Sequence, residues 1–241
     1  MTRTILVTGG GTGIGRAVAA RFAAAGDVVH ITGRREEVLV EAAAALGSSV
    51  HALVCDSTDP EQVTAALAEL DGPIDVLVNN AGGNTDFDLP DQGGLAGVLA
   101  RWRANLDANL ISAVLTTTAA DDRLREGGSV IHIGSIAADQ GAGSYGAAKA
   151  GLASWNVDLA GRLGARGITA NVVSPGYIRE TEFFRDKLPD ERAEQLVEAT
   201  STGRAGVPAD IAETVCFLAS PGARHITGQT LGVNGGAHVT R

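Results

Sequence analysis

The sequence predicts a doubly wound α/β fold, a mostly parallel seven-stranded sheet with helices on both faces. Short β-branched runs alternate along the chain with longer alanine- and leucine-rich stretches, and the first run opens directly into a glycine cluster. No linker, low-complexity tract or fixed-period repeat divides the chain. With 241 residues, 44% hydrophobic and 20% charged, a single domain spanning 1–241 around one sizeable core is expected.

The strand candidates, in order, are Thr4 to Val7, Val28 to Thr32, Val50 to Val54, Ile74 to Val78, Val130 to Ile133, Ile168 to Val173 and Thr230 to Val233. Their near-continuous apolar character predicts strands buried on both faces, as in a parallel sheet covered by helices. Helices are expected at about 14–25, 36–46, 60–70, 97–124, 144–164, 181–200 and 208–219. Pro60 and Pro208, with Asp59 and Asp210 beside them, fit helix starts. Gly93-Gly94 and Asp86-Phe87-Asp88 read as surface connections.

Against 19 Lys and Arg stand 28 Asp and Glu, a formal charge of −9 that argues against nucleic acid or an acidic membrane as partner. The apolar run near the N-terminus is too short for a signal peptide, no run reaches membrane-spanning length, and a cytoplasmic protein is expected. Cys55 and Cys216 lie in apolar stretches without CxxC spacing and read as reduced core thiols. His30, His51, His132, His225 and His238 form no metal-ligand pattern, and His51 and His132 read as core histidines.

The first strand runs into Thr8-Gly9-Gly10-Gly11-Thr12-Gly13-Ile14-Gly15, and a helix follows from Arg16. Free N–H groups at that helix start and close backbone approach at glycine suit a pyrophosphate, so this is a dinucleotide site. Gly9, Gly13 and Gly15 fit TGxxxGxG, and no frame of the loop fits GxGxxG.

Here the chain resembles the short-chain dehydrogenase/reductase family, in which this fold is a Rossmann fold. The likeness continues in order through Asn79-Asn80-Ala81-Gly82, Trp102 with Asn109-Leu110, Ser135, Tyr145-Gly146-Ala147-Ala148-Lys149, Ser174-Pro175-Gly176 and Ile226-Thr227-Gly228-Gln229 to Asn234-Gly235-Gly236. Among its members the chain is similar to 3-oxoacyl carrier-protein reductases. The resemblance implies that Gly9, Thr12, Gly13, Ile14, Gly15, Asn80, Ala81, Gly82, Pro175, Gly176, Ile178 and Thr181 contact the cofactor, and that Asp56 meets the adenine amino group.

Residues ending the second strand face the adenosine ribose, where a carboxylate holds a 2′-OH and an arginine pairs with a 2′-phosphate. Gly33-Arg34-Arg35 offers room and positive charge there, so NADP is expected over NAD, with Arg34 and Arg35 as its readers.

Tyr145 and Lys149 are four residues apart among good helix formers and share a helical face. An ammonium beside a phenol, whose ordinary pKa is about 10, favours the phenolate and suits movement of an alcohol proton. The resemblance makes Tyr145 the proton donor to a substrate carbonyl. It gives Lys149 the tasks of lowering that phenol's pKa and holding the nicotinamide ribose. Ser135, just past the Val130 to Ile133 run, would orient the carbonyl, and Asn109 would anchor a water leading to Lys149. Asn105 and Ser144 are the sequence alternatives to Asn109 and Ser135.

Two departures from the family pattern stand out. Ser135 and Tyr145 are only ten residues apart, a trimmed loop, and Glu180 occupies the usual threonine position so that Thr181 comes one residue late and the backbone must bulge. The segment 179–200 is expected to cover the active site as a lid. Phe183, Phe184, Tyr177 and Leu188 would line an apolar pocket there, and Arg179, Arg185 or Lys187 would meet an acidic group.

The expected activity is hydride transfer between NADP and a small carbonyl or secondary-alcohol substrate, free or carrier-bound, of 3-oxoacyl thioester or general ketone type. An NAD-dependent dehydrogenase of a sugar, steroid or polyol, and a non-catalytic redox sensor, are the rival readings. No metal is expected. Association into a homotetramer, or failing that a dimer, is expected through helices 97–124 and 144–164.

Overall fold

The computed structural model describes residues 2–88, 93–185 and 187–240. Its centre is one seven-stranded sheet in the order β3-β2-β1-β4-β5-β6-β7, parallel throughout. The strands are β1 Thr4–Thr8, β2 Val28–Gly33, β3 Val50–Val54, β4 Ile74–Asn79, β5 Leu124–Ile133, β6 Thr169–Pro175 and β7 Thr230–Val233. Each predicted run is a strand, and β5 begins earlier than expected, with its pairing to β4 shifting between Ile74 and Val76.

The central strands are buried on both faces, as in β1, β4 and β6, because helices cover each side. The edges correct this expectation. In β3 residues alternate, so that Val50 and Leu53 are buried while His51 and Val54 face outward, and β7 is nowhere fully buried. His51 is therefore exposed rather than a core histidine, stacking at 5.2 Å on the buried His30.

The connecting helices are α1 Gly13–Ala24, α2 Glu36–Leu46, α3 Pro60–Ala68, α4 Gly94–Leu106, α5 Ser112–Ala120, α6 Ala137–Gln140, α7 Gly143–Gly164, α8 Asp190–Glu198 and α9 Pro208–Leu218. Asp59 caps α3 by accepting from the N–H groups of Glu61 and Gln62, with Pro60 in its first turn. At α9 the Asp210 carboxylate reaches back to the Val207 N–H at 2.9 Å and pairs with Arg204, contacts that hold it down at about 2.

The helix expected over 97–124 starts at Gly94 and is interrupted by a π turn at Asp107–Ile111, so Gly94 belongs to a helix and not to a connection. The helix expected over 181–200 is confined to α8, because Pro189 permits helix only after it and the residues before it make irregular turns. No helix among the described residues is long and apolar enough to cross a membrane.

Apolar side chains pack on both faces of the sheet. On one, Phe22 and Val18 of α1 and Val215 of α9 lie against Ile5 and Ile131; on the other, Leu159 and Leu163 of α7 and Leu67 of α3 lie against Leu6, Leu77 and Val130. This packing fixes the C-terminal ends of β1, β4, β5 and β6 side by side. The chain direction of successive crossovers reverses between β1 and β4, the position at which open α/β sheets bind ligands.

Candidate active site

The glycine loop is built for close approach. A Cβ on Gly15 would fall 2.2 Å from the Gly9 carbonyl oxygen, so glycine alone lets α1 start this near β1. Gly9 has φ +65° and Gly13 φ +52°, the left-handed region. No side chain caps the first turn of α1 and no acidic residue lies in it, leaving the positive end of the helix for an anion. That donor set, at the switch point of the sheet, fits the pyrophosphate of a dinucleotide.

The Asn79-Asn80-Ala81-Gly82 segment braces this loop. The Asn80 side-chain amide donates to the carbonyls of Thr8 and Gly9 at 3.0 and 2.9 Å, while the Asn80 and Ala81 N–H groups both donate to the Thr8 hydroxyl. Position 9 must be glycine, because a Cβ there would lie 2.9 Å from the Ala81 Cα. Asn79 points away from the groove and donates to Thr117 and to Nδ1 of His132.

At the end of β2, Arg34 is exposed and its side chain has no partner among the described residues. Arg35, which precedes α2, grips Glu182 instead, with 2.7 Å between Nη2 and Oε2. The hydrogen bond from Arg35 is the main reason the Glu182 carboxyl sits below its ordinary pKa. Asp56 forms an Asx turn with Thr58, accepting from its N–H and its hydroxyl. Pro175 accepts from the Ile136 N–H, and a Cβ on Gly176 would meet that of Asn234 at 2.9 Å. Ile178 buries its side chain in the core, so only its backbone faces the groove.

Tyr145 and Lys149 are both buried on α7, with the Lys149 ammonium 5.9 Å from the Tyr145 ring centroid. Lys149 Nζ donates to the Ile133 carbonyl at 2.7 Å, and two residues beyond Ile133 the Ser135 hydroxyl lies near enough to Tyr145 to favour its phenolate. The end of β5 thus orients both groups. The Ser144 hydroxyl accepts from Asn105 at 2.9 Å.

At Tyr145 burial, not the Lys149 charge, sets the direction of the shift. Burial pushes the phenol up to about 12, opposed only by the Ser135 hydroxyl, and burial pulls the Lys149 ammonium down to about 8. Beside them His132 is pulled down to about 3, by burial first and by the Lys149 charge second.

Asn109 lies in the π turn, a distortion that often marks functional positions. Its amide is committed to the loop after β4: Oδ1 accepts from the Gly83 N–H and Nδ2 donates to the Gly83 and Asn105 carbonyls. Asn105, one turn earlier, ties Thr85, Asp86 and Ser144 together. The trimmed Ser135 to Tyr145 loop closes through the single turn of α6, with Gly141 and Gly143 both at positive φ. It packs so tightly that a Cβ on Gly146 would lie 2.6 Å from the Ala137 carbonyl oxygen.

The bulge expected near Thr181 is real: Glu180 takes φ +61°, which returns Thr181 to face Gly13 of the phosphate loop. Beyond it Phe183 stacks 5.6 Å from Tyr145 and 4.9 Å from Phe184, and Phe184 lies 6.0 Å from Tyr177. Phe87 joins both phenylalanines at 6.0 Å. Phe87 was missed because Asp86-Phe87-Asp88 reads as an acidic surface loop; an aromatic between two carboxylates was its only signal. The cations expected to meet an acidic group are all engaged: Arg185 with Asp88, Lys187 with the Phe87 carbonyl and Arg179 with Glu180. Among the described residues no cluster of three or more His, Cys, Asp or Glu side chains could hold a metal ion.

A family profile described as Enoyl-(Acyl carrier protein) reductase matches residues 9–238. The chain is similar to the 3-oxoacyl-[acyl-carrier-protein] reductase of Escherichia coli, 37% identical over 97% of this chain and 96% of that protein. It is also similar to the crystal structure of a short-chain dehydrogenase/reductase, glucose/ribitol dehydrogenase, from Brucella melitensis, with TM-score 0.86 and 31% identity over 99% of this chain and 97% of that one. A blue fluorescent protein from a metagenomic library, solved in complex with NADPH, gives TM-score 0.85 and 36% identity over 98% of each chain. With the glycine loop, the Asn-Asn-Ala-Gly brace and the Ser135, Tyr145 and Lys149 cluster in place, the chain belongs to the short-chain dehydrogenase/reductase family of NAD(P)-dependent oxidoreductases.

Proposed function

We propose that this protein is an NADP-dependent reductase of ketones, with 3-oxoacyl thioesters, carrier-bound or free, as the preferred substrate class. The observation that carries the reading is the buried pair Tyr145 and Lys149, with Lys149 5.9 Å from the phenol ring and bonded to the Ile133 carbonyl, at strand ends next to an uncapped helix N-terminus. The Ser135 and Tyr145 hydroxyls suit a carbonyl oxygen: Ser135 would donate a hydrogen bond that strengthens as negative charge develops, and Tyr145 would supply the proton. With its pKa raised to about 12, Tyr145 keeps that proton at neutral pH, the state a reductase requires. The Lys149 ammonium then stabilises the phenolate left behind.

Bound at the glycine loop, the nicotinamide supplies the hydride. Gly9, Thr12, Gly13, Ile14 and Gly15 would hold its pyrophosphate, Arg34 and Arg35 the 2′-phosphate, and Asp56 the adenine. The segment Ala81-Gly82, Lys149, and Pro175-Gly176 with Ile178 and Thr181 would hold the nicotinamide half. The π turn at Asn109 would offer main-chain acceptors for a water leading to Lys149, since its side chain is spent on Gly83. The segment 179–200 acts as the lid. Phe87, Phe183 and Phe184 favour an apolar acyl chain over a polyol, which supports the acyl-reductase relative over the sugar-dehydrogenase one.

The exposed apolar residues Leu95, Val98, Leu99 and Trp102 of α4 and Val157 of α7 support a homotetramer built on these helices, with a dimer as the simpler form. The test of the function is Tyr145→Phe, which keeps ring packing and removes the proton. It should bind NADPH with unchanged affinity and lose ~10²–10⁴-fold in ketone reduction. Wild-type turnover in the variant would refute the role.

A further inference from the structure

Thr181 and Glu182 lie across the phosphate loop. The Thr181 methyl carbon is 3.5 Å from where a Gly13 Cβ would be, and the Glu182 carboxylate spans Thr12 and Arg35. Its Oε2 accepts from Arg35 Nη2 at 2.7 Å and from the Thr12 hydroxyl at 3.4 Å, and its Oε1 lies 3.5 Å from Arg35 Nη1. A guanidinium fork and a hydroxyl converging on paired anionic oxygens is the donor set of a phosphate monoester seat. Arg35 moreover stands where the ribose end of a dinucleotide is read.

Glu182 is held there from behind. Arg185 Nη1 donates to the Glu182 and Phe183 carbonyls at 2.7 and 3.0 Å, while its other nitrogens grip Asp88 at 3.0 and 2.7 Å. Arg185 adopts φ +51° to make these contacts, so the backbone carrying the carboxylate is fixed to the opposite wall of the groove.

We infer that Glu182 is an internal anion occupying the Arg35 and Thr12 seat, and that it sets the discrimination between a 2′-phosphorylated dinucleotide and one without the phosphate. The inference rests on the cofactor site proposed above. A 2′-phosphate engaging Arg35 must displace this carboxylate and then lie near it, two like charges beside one guanidinium. A dinucleotide with a free 2′-OH has no claim on Arg35 and leaves that ion pair intact, displacing only the longer 3.4 Å contact of Glu182 with Thr12, a loss common to both dinucleotides. Glu182 therefore weakens binding of the phosphorylated form selectively, and its carboxylate neutralises Arg35 until that form arrives.

Calorimetric titration of wild type, Glu182→Gln, Arg35→Gln and the double variant with NADPH and with NADH tests this. Glu182 is exposed, so its replacement leaves the fold intact. Glu182→Gln should bind NADPH ~3–10-fold tighter and NADH within twofold of wild type, and in the Arg35→Gln background the Glu182 change should have a smaller effect, because there is no ion pair left to displace. An unchanged NADPH affinity, or equal tightening for both dinucleotides, would overturn the inference while leaving the cofactor site standing. Wild type binding neither dinucleotide would overturn the site itself and the inference with it.

Discussion

Replacing Lys149 by methionine should make the protein more stable and less active. Lys149 is 4% exposed, and burial lowers its pKa from 10.5 to about 8. That difference corresponds to ~3 kcal/mol of unfavourable ammonium burial at neutral pH, at about 1.4 kcal/mol per pKa unit. Methionine fills similar space without the charge but forfeits the bond to the Ile133 carbonyl, a charged hydrogen bond contributing ~1.5–3 kcal/mol. The net expectation is ~1 kcal/mol of added stability at pH 7. The sign has a pH signature. Because the folded pKa lies below the unfolded one, the unfolded chain binds more protons between about pH 8 and 10.5, so wild-type stability rises across that window. The methionine variant lacks this rise, and its advantage should shrink and then reverse. Urea denaturation of both proteins at about pH 7 and pH 9.5, at one fixed concentration, measures the gap. A variant less stable at neutral pH, or a gap that does not change with pH, would refute the reasoning.

His132 should give a dependence of the same sign, on the acid side. Its folded pKa of about 3 lies below the ordinary 6.5, so its contribution is complete above pH 6.5 and is lost as pH falls toward 3. His132→Asn, which can keep an acceptor near Nδ1, should lose ~2 kcal/mol less stability than wild type between pH 7.5 and 5 in urea melts; equal losses would contradict it. Gly15→Ala should weaken dinucleotide binding at least tenfold in calorimetry, since its Cβ meets the Gly9 carbonyl oxygen at 2.2 Å. Wild-type affinity would show that the loop relaxes freely. Light scattering at micromolar concentration should give the mass of four chains, or of two for the simpler form, and a monomer would refute association through α4 and α7.

The sheet was legible because a buried parallel strand needs a run of β-branched residues and the crossovers between such strands need helices. Edge strands broke the pattern where one face meets water, as at His51. The proposed catalytic cluster was legible where one local spacing sets it, as for Tyr145 and Lys149 on α7. Weighing Ser135 against Ser144 needs the third dimension, because Ser135 follows the end of β5 while the Ser144 hydroxyl bonds Asn105. The π turn at Asp107–Ile111 widens a helix without altering its composition, which is why 97–124 reads as one helix. The lid contacts were illegible for a different reason. Arg35 and Glu182 are 147 positions apart and Arg185 and Asp88 are 97 apart, so each charge looks like part of a solvated segment until the fold closes. The displaced threonine, in contrast, forecast its own bulge, and Glu180 at φ +61° absorbs the extra residue.

The central claim, hydride delivery to a carbonyl carbon under Tyr145, is tested most directly by isotope transfer. Incubation with NADPH deuterated at the transferable position and a 3-oxoacyl thioester should give a 3-hydroxyacyl product one mass unit heavier, with the deuterium on the carbinol carbon. Deuterium found instead in the saturated product of a 2-enoyl thioester, with the 3-oxoacyl thioester unchanged, would contradict the account and move the chemistry from the carbonyl to the carbon–carbon double bond.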